Sequence, residues 1–419
     1  MEGANAQESV HESDMLPHLR LPKVSLGNSF DMLAGVRVVD LTTSVAGPYA
    51  TMLLSDFGAD VIKVERPEGD DARHWGPPFL NGEALWFQAM NRNKKSVVLD
   101  LKQPSAFDRL KDLIATADVF VTNQPPDVQR KLGLDYDRVK ALRPDIIFVS
   151  ITGFGLTGER AEMTSYDLIA EGYSGIMDIT GAAESNPQKI GAPAADMLAG
   201  QDAAMSTMAA LAGRGQSGKS HLIDVSLLES MTRFLSCRIS SYLGSGEVPT
   251  RRGGTDSVIA IYQPFETADL PMTLGVGSNP IWARFWKALG RPDYALRPEL
   301  KTNIARREHR AEIVRDIQAI LLTEPRAHWL KLFAGARVPA GPINRIDEVA
   351  HDAALQERGL FFALDAGHGR LVPQIGLGIR IDDQICIPRS APPTLGEHSA
   401  EVLGALDQSP ASAVTAKFG

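Results

Sequence analysis

Residues 36–64 read VRVVDLTTSVAGPYATMLLSDFGADVIKV, and this stretch decides the fold. Val36 to Leu41 is a short run dominated by valine, which reads as a buried strand. Pro48 suits the first turn of a helix, because its missing N–H is unused there and its φ is already helical. The pattern carries that helix to about Phe57, and Gly58 ends it. Asp60 to Val64 is then a second strand. Strand, helix and strand in such close succession form a βαβ unit, which implies a parallel sheet.

The alternation continues outward. Ser96–Leu101, Asp118–Thr122 and Asp145–Ile151 are strand-like, and 104–116 and 135–142 have helical periodicity. A sheet wound in this way, with helices on both faces, is a Rossmann-like lobe. Residues 197–213 form a helix rich in Ala, Met and Gly, and 221–243 reads as another. From about Gly244 the texture changes: strands near 258–262 and 273–276 are followed by helical segments near 280–289 and 307–322. A smaller domain is therefore placed at 230–340. Pro339-Ala340-Gly341-Pro342 reads as a turn or linker. The large domain takes 31–229 and 341–419, and 1–30 reads as a flexible N-terminal arm.

Composition excludes several classes. The chain has 419 residues, with 43 Lys+Arg against 51 Asp+Glu and a net charge of −8. Nucleic acid and anionic membranes select basic footprints, so neither is expected as a partner. The 44% hydrophobic content supports a core, and 6% aromatics make it an aliphatic one. The two cysteines, Cys237 and Cys386, are too few for a disulfide framework, which points to a reducing cytoplasm. No apolar run reaches the ~18 residues of a membrane span. The nine scattered histidines show no metal spacing, so no metal site is expected.

Gly153-Phe154-Gly155-Leu156-Thr157-Gly158 matches a dinucleotide fingerprint in letters only. It follows the fifth strand, and no convincing helix opens after it, so a glycine-rich loop in a substrate pocket is the better reading. Asp196 precedes the Ala/Met helix. Its plain reading is an N-cap, its carboxylate accepting first-turn N–H groups. A carboxylate there, among small residues that admit a bulky ligand, is also a competent nucleophile. Arg66, Asn123, Arg130 and Lys131 follow strand ends on the edge where open α/β sheets bind ligands. With the N–H groups at the Pro48 helix start, they make one rim compatible with phosphate.

These residues carry a family likeness. Leu33–Leu41 with Val45-Ala46-Gly47-Pro48, Gly58–Pro67, Asn91–Ser96, Leu99–Lys102, Ile151–Gly155, Asp224–Ser230, Pro339–Pro342 and Leu395–His398 occur in order over about 33–405. Together they resemble the class III CoA-transferases (CaiB/BaiF, formyl-CoA transferase-like), a family that also holds 2-methylacyl-CoA racemases. The resemblance implies a Rossmann-like large domain built from both chain ends, a smaller α+β domain between, and an interlocked homodimer. It implies no permanently bound cofactor, with coenzyme A thioesters and carboxylic acids as substrates. Carried over residue by residue, the CoA contacts are Val45, Ala46, Arg66, Leu99, Lys102, Asn123, Lys131 or its neighbour Arg130, and Tyr166 beside the site. The catalytic aspartate falls on Asp196; Asp167 matches a different family position.

The implied reaction moves CoA from a small acyl-CoA to a carboxylic acid, with a dicarboxylate open as acceptor, through aspartyl anhydride and aspartyl-CoA thioester intermediates. The alternative is a racemase. Related racemases carry a His where this chain has Tyr166, and tyrosine, with a reference pKa of about 10, is a poor base near neutrality. Arg251 and Arg252, before Gly253-Gly254, remain open between an acceptor contact and a solvated loop.

Overall fold

A computed structural model describes residues 21–367 and 369–408, which fall into two compact units. The first takes residues up to 175, then 190–237 and from 350 onward; the second takes 176–189 and 238–349. Segment 176–189, read from sequence as part of the large domain, is tied to the second unit. Arg251 donates to the Asp178 carbonyl and carboxylate at 2.6 and 2.9 Å, and Gly253 donates to the Gly181 carbonyl at 2.8 Å.

The first unit holds six strands: β1 (Arg37–Leu41), β2 (Asp60–Glu65), β3 (Lys94–Val98), β4 (Val119–Thr122), β5 (Ile147–Thr152) and β6 (His221–Ser226). All neighbours are parallel and the order is β3-β2-β1-β4-β5-β6. Every residue of β4 and β5 is buried, as befits strands covered on both faces. The helices that matter here are α1 (Ala46–Asp56), α2 (Pro104–Ala115), α3 (Pro126–Leu132), α4 (Asp167–Ser174), α5 (Ala194–Ser217) and α6 (Leu227–Phe234). On one face α2 packs Leu110, Leu113 and Ile114 against Val39, Ile62, Val97 and Phe120. Elsewhere α1 and α5 meet closely: a Cβ at Gly200 would stand 2.6 Å from the Ala46 carbonyl oxygen, so only glycine fits.

Three sequence expectations change. Residues 221–243 are not one helix: His221–Ser226 completes the sheet, and Ser226 caps α6 by accepting the Glu229 N–H at 3.0 Å. Part of the supposed arm is built into the unit. Lys23–Ser25 runs parallel to Phe361–Asp365, and Lys23 pairs with Asp365 at 3.0 Å. Residues 1–20 of the arm lie outside the described residues. Pro339–Pro342 is no linker, because Ala340–Pro342 pairs with Met272–Leu274. Pro342 is tolerated at the end of an edge strand, where its missing N–H costs nothing.

The second unit has an antiparallel sheet of β7 (Ile261–Phe265), β8 (Met272–Val276) and β9 (Ala340–Pro342). Against it pack α7 (Asn279–Ala288), α8 (Arg310–Leu321) and α9 (Arg326–Gly335). Its core mixes both kinds of side chain: Trp282, Phe285, Trp286, Tyr294, Trp329 and Phe333 are buried among Ile261, Leu274, Val276, Ile313, Ile317 and Leu321, and Trp286 stacks on Tyr294 at 3.8 Å between centroids. Among the described residues no helix is long and apolar enough to cross a membrane.

Candidate active site

Strand order reverses between β1 and β4, and there the loops leave the sheet in opposite directions and open a crevice at the C-terminal edge. The loop after β1, Thr42–Val45, is held from several sides. Asn123, just past β4, accepts the Thr43 N–H at 3.1 Å and donates to the Thr43 carbonyl at 2.8 Å. Asp70 accepts the Ser44 N–H at 2.9 Å, and Lys63 donates to the Thr42 carbonyl at 2.7 Å. Ser44 sits in the left-handed region at φ 73°, a strained conformation for a non-glycine residue that these bonds over-determine. At Gly47 a Cβ would stand 2.3 Å from that of Thr42, so the turn into α1 requires glycine.

Beneath the loop lies a fully buried ionic network. Lys63 pairs with Asp70 at 2.8 Å and Lys94 with Asp40 at 3.2 Å. Asp40 also accepts from the Thr42 and Thr51 hydroxyls. Burial pushes the Asp40 carboxyl up, but Lys94, Lys63 and the two hydroxyls outweigh it and hold it below its ordinary range. Burial outweighs Asp40 at Lys94, whose ammonium is pushed down to about 8. Removing one partner of such a pair leaves an uncompensated buried charge. Asp70→Ala is therefore expected to cost about 3 kcal/mol, read as a lowered midpoint in urea unfolding, and to loosen the Ser44 turn.

Two adjoining hollows lie along this edge, sharing Thr43 and Gln124 in their walls. The smaller, about 230 Å³, is lined by Val45, Ala46, Asn123, Tyr166 and Asp196 among others. The larger, about 770 Å³, is lined by Arg66, Leu99 and Lys102 among others. Eight of the sequence-derived candidates thus meet on one edge. The other two do not line either hollow. Arg130 lines a separate depression and pairs with Glu162; Lys131 pairs with Asp127 at 2.7 Å on its own helix α3. Arg66 bonds the Gly69 carbonyl at 3.0 Å and pairs with Asp71, which stands in the wall of the smaller hollow. Leu99 is buried, and its N–H donates to the Glu65 carbonyl at 2.9 Å.

Asp196 is not the N-cap of α5. It is the third residue of that helix, and the carboxylate at the helix start belongs to Asp167, at the start of α4. One Asp167 oxygen accepts the N–H groups of Ala195 and Asp196 at 2.8 and 3.2 Å. The Ala194 and Met197 N–H groups are also taken, by the Ala192 and Pro193 carbonyls. The helix start therefore has no free donor for Asp196 or for a developing oxyanion. Burial and the neighbouring Asp167 charge instead push the Asp196 carboxyl up to about 7. The open helix start is that of α1. The Ala46 and Gly47 N–H groups meet no acceptor among the described residues, and Ala46 shares the smaller hollow with Asp196.

Sequence reasoning missed Asp70 and Asp71, and it set Asp167 aside without seeing its contact with the start of α5. The run Arg66–Asp71 does place acids beside Arg66, which was a readable pairing signal; the reach of Asp167 across 28 residues was not. The fingerprint-like Gly153 does line the smaller hollow, and no helix follows it directly: α4 begins at Asp167. No group of three potential metal ligands occurs among the described residues.

The sequence model of CoA-transferase family III matches residues 33–399. A succinate–glutarate CoA-transferase of Agrobacterium fabrum is 39% identical over 382 residues, covering 90% of this chain and 96% of its own. A succinyl-CoA:glutarate CoA-transferase of Mus musculus is 38% identical, covering 90% and 86%. The crystal structure of a CaiB/BaiF family protein from Brucella suis superposes with a TM-score of 0.80 at 37% identity, covering 91% of this chain and 100% of that one.

Proposed function

The chain belongs to CoA-transferase family III, and from that premise we propose that it transfers CoA from a succinyl-CoA-class donor to a dicarboxylic acid of the glutarate class. The observation that carries the mechanism is the Asp196 carboxylate: half-buried, with no cation or hydrogen bond lowering its pKa, and sharing a hollow with an uncapped helix start. A carboxylate so poorly stabilised is more basic, and therefore more nucleophilic, than one in water.

One Asp196 oxygen attacks the donor's thioester carbon. The C–S bond breaks, CoA leaves as thiolate, and a mixed anhydride remains. The thiolate attacks the aspartyl carbonyl, the anhydride C–O bond breaks, and the donor acid departs, leaving aspartyl-CoA thioester. The acceptor carboxylate attacks that thioester and expels the thiolate, which then takes the acyl group of the new anhydride and frees Asp196. Each step exchanges activated acyl bonds, so no ATP is consumed. The Ala46 and Gly47 N–H groups at the start of α1 are the donors we assign to the oxyanions, because those of α5 are occupied.

CoA lies in this reading along the larger hollow, with Arg66 and Lys102 toward its phosphates and Val45, Ala46, Leu99 and Asn123 shaping its path. Tyr166, 68% exposed, flanks the thioester end. The separate position of Arg130 and Lys131 supports them less strongly as CoA contacts than Lys102, which forms no ion pair with a described residue. Because Asp71 occupies Arg66, Asp71→Asn frees that guanidinium. It is expected to tighten CoA binding about three- to tenfold by calorimetry, while Arg66→Gln weakens it.

Association into a homodimer belongs to the same reading. Leu168, Ile169, Tyr173, Met205 and Phe234 stand exposed on α4, α5 and α6, and a second copy that covers them removes apolar surface from water. A chain of 419 residues with only two cysteines fits a cytoplasmic setting.

The test is borohydride trapping during incubation with succinyl-CoA, followed by peptide mass spectrometry. Reduction at Asp196 is the expected result. Deuterium uptake at the substrate α-carbon, with no trapping and no acceptor required, would instead identify a racemase.

A further inference from the structure

In the second unit, α7 and α9 bound a hollow of about 820 Å³. Arg284, Lys287, His328, Lys331 and Arg337 line it, and no acidic residue does. Its apolar lining comes from Ala288, Leu332 and Ala336. This is unusual in a chain whose acids outnumber its Lys and Arg by 51 to 43. Elsewhere in the same unit Arg238, Arg251 and Arg297 each find a carboxylate. None of Arg284, Lys287, His328, Lys331 and Arg337 forms an ion pair with a described residue. Arg284 donates to the Arg337 carbonyl at 2.9 Å, which ties α7 to the turn after α9. Arg337 itself is held in the left-handed region at φ 54°.

Like charges gathered without acids concentrate a positive field, which attracts a multiply charged anion. The volume is that of a small-molecule site, roughly 300–1,000 Å³. A lining that combines apolar and positively charged side chains suits a ligand with a flat ring at one end and phosphates at the other. We propose that this groove binds a nucleotide-class polyphosphate, with its ring against Ala288, Leu332 and Ala336 and its phosphates among Lys287, Lys331 and Arg337. It shares no lining residue with the sheet-edge crevice and does not depend on the transfer reaction.

Photolabelling with 8-azido-ATP tests this. The expected label maps to peptides of α7 or α9, is competed by ATP, and is competed far less well by tripolyphosphate. In the Lys287→Glu/Lys331→Glu double variant it falls at least tenfold, while thermal midpoint and CoA transfer stay at wild-type level. Labelling confined to the sheet-edge crevice overturns the proposal, as does labelling of α7 or α9 that survives the charge reversal. Equal competition by tripolyphosphate overturns the nucleotide assignment, since the apolar lining would then contribute nothing.

Discussion

Asp196→Ala is expected to lower CoA transfer at least about 10³-fold, because the reaction loses the atom that forms both covalent intermediates. CoA binding, measured by calorimetry, stays within a few-fold of wild type, since Arg66 and Lys102, the groups assigned to its phosphates, line the larger hollow and Asp196 does not. Retained turnover would sink the nucleophile assignment. Asp196→Asn carries a second, less obvious expectation. The native carboxyl titrates at about 7, while an unfolded aspartate titrates near 3.8. Between those values the folded state holds a proton that the unfolded state has released. Asp196 therefore favours folding at low pH, and that contribution is lost as pH rises through 7. The full shift corresponds to about 4 kcal/mol, which partial exposure reduces to about 1–3 kcal/mol. At pH 8 Asp196→Asn should thus melt a few degrees higher than wild type, with the gain vanishing near pH 4. An inactive variant more stable than its parent is the signature of a strained functional carboxylate.

Asp167→Asn should move the acidic limb of the pH–rate profile. Asp196 must be ionised to attack, so kcat/KM for wild type is expected to rise with pH and level off above about 7. Asparagine at 167 can still accept the Ala195 and Asp196 N–H groups, so α5 keeps its cap, but the neighbouring negative charge is gone. The Asp196 carboxyl then ionises more readily, and the limb shifts toward acid by about one pH unit. The same change makes the nucleophile less basic, so the plateau rate falls. Asp167→Ala removes the cap as well and costs about 1–2 kcal/mol of stability. A limb that stays in place in Asp167→Asn would reduce Asp167 to a structural cap.

The βαβ start was legible because each local signal agreed with the next: the valine run, Pro48, Gly58 and the second apolar run. The same agreement placed all six strands of the large sheet except β6, whose burial alternates at its first residues and whose C-terminal end runs directly into α6. Aromatic clustering in the second unit was illegible, because it depends on which segments meet. So was the joining of 176–189 to that unit, which rests on Arg251 and Gly253 about 70 residues away.

Residue types and their order were enough to establish a parallel Rossmann-like sheet, the family, and the identity of Asp196 as the residue to test. These follow from local propensity and from motifs preserved in order. Only the tertiary structure decided what state Asp196 is in. From sequence, an aspartate at a helix start is an anion stabilised by N–H donors. In the folded chain Asp167 has taken those donors, and its charge together with burial turns the expected depression of the Asp196 pKa into a rise to about 7. Desolvation and charge–charge energies depend on distances between segments far apart in sequence, and no local pattern encodes them.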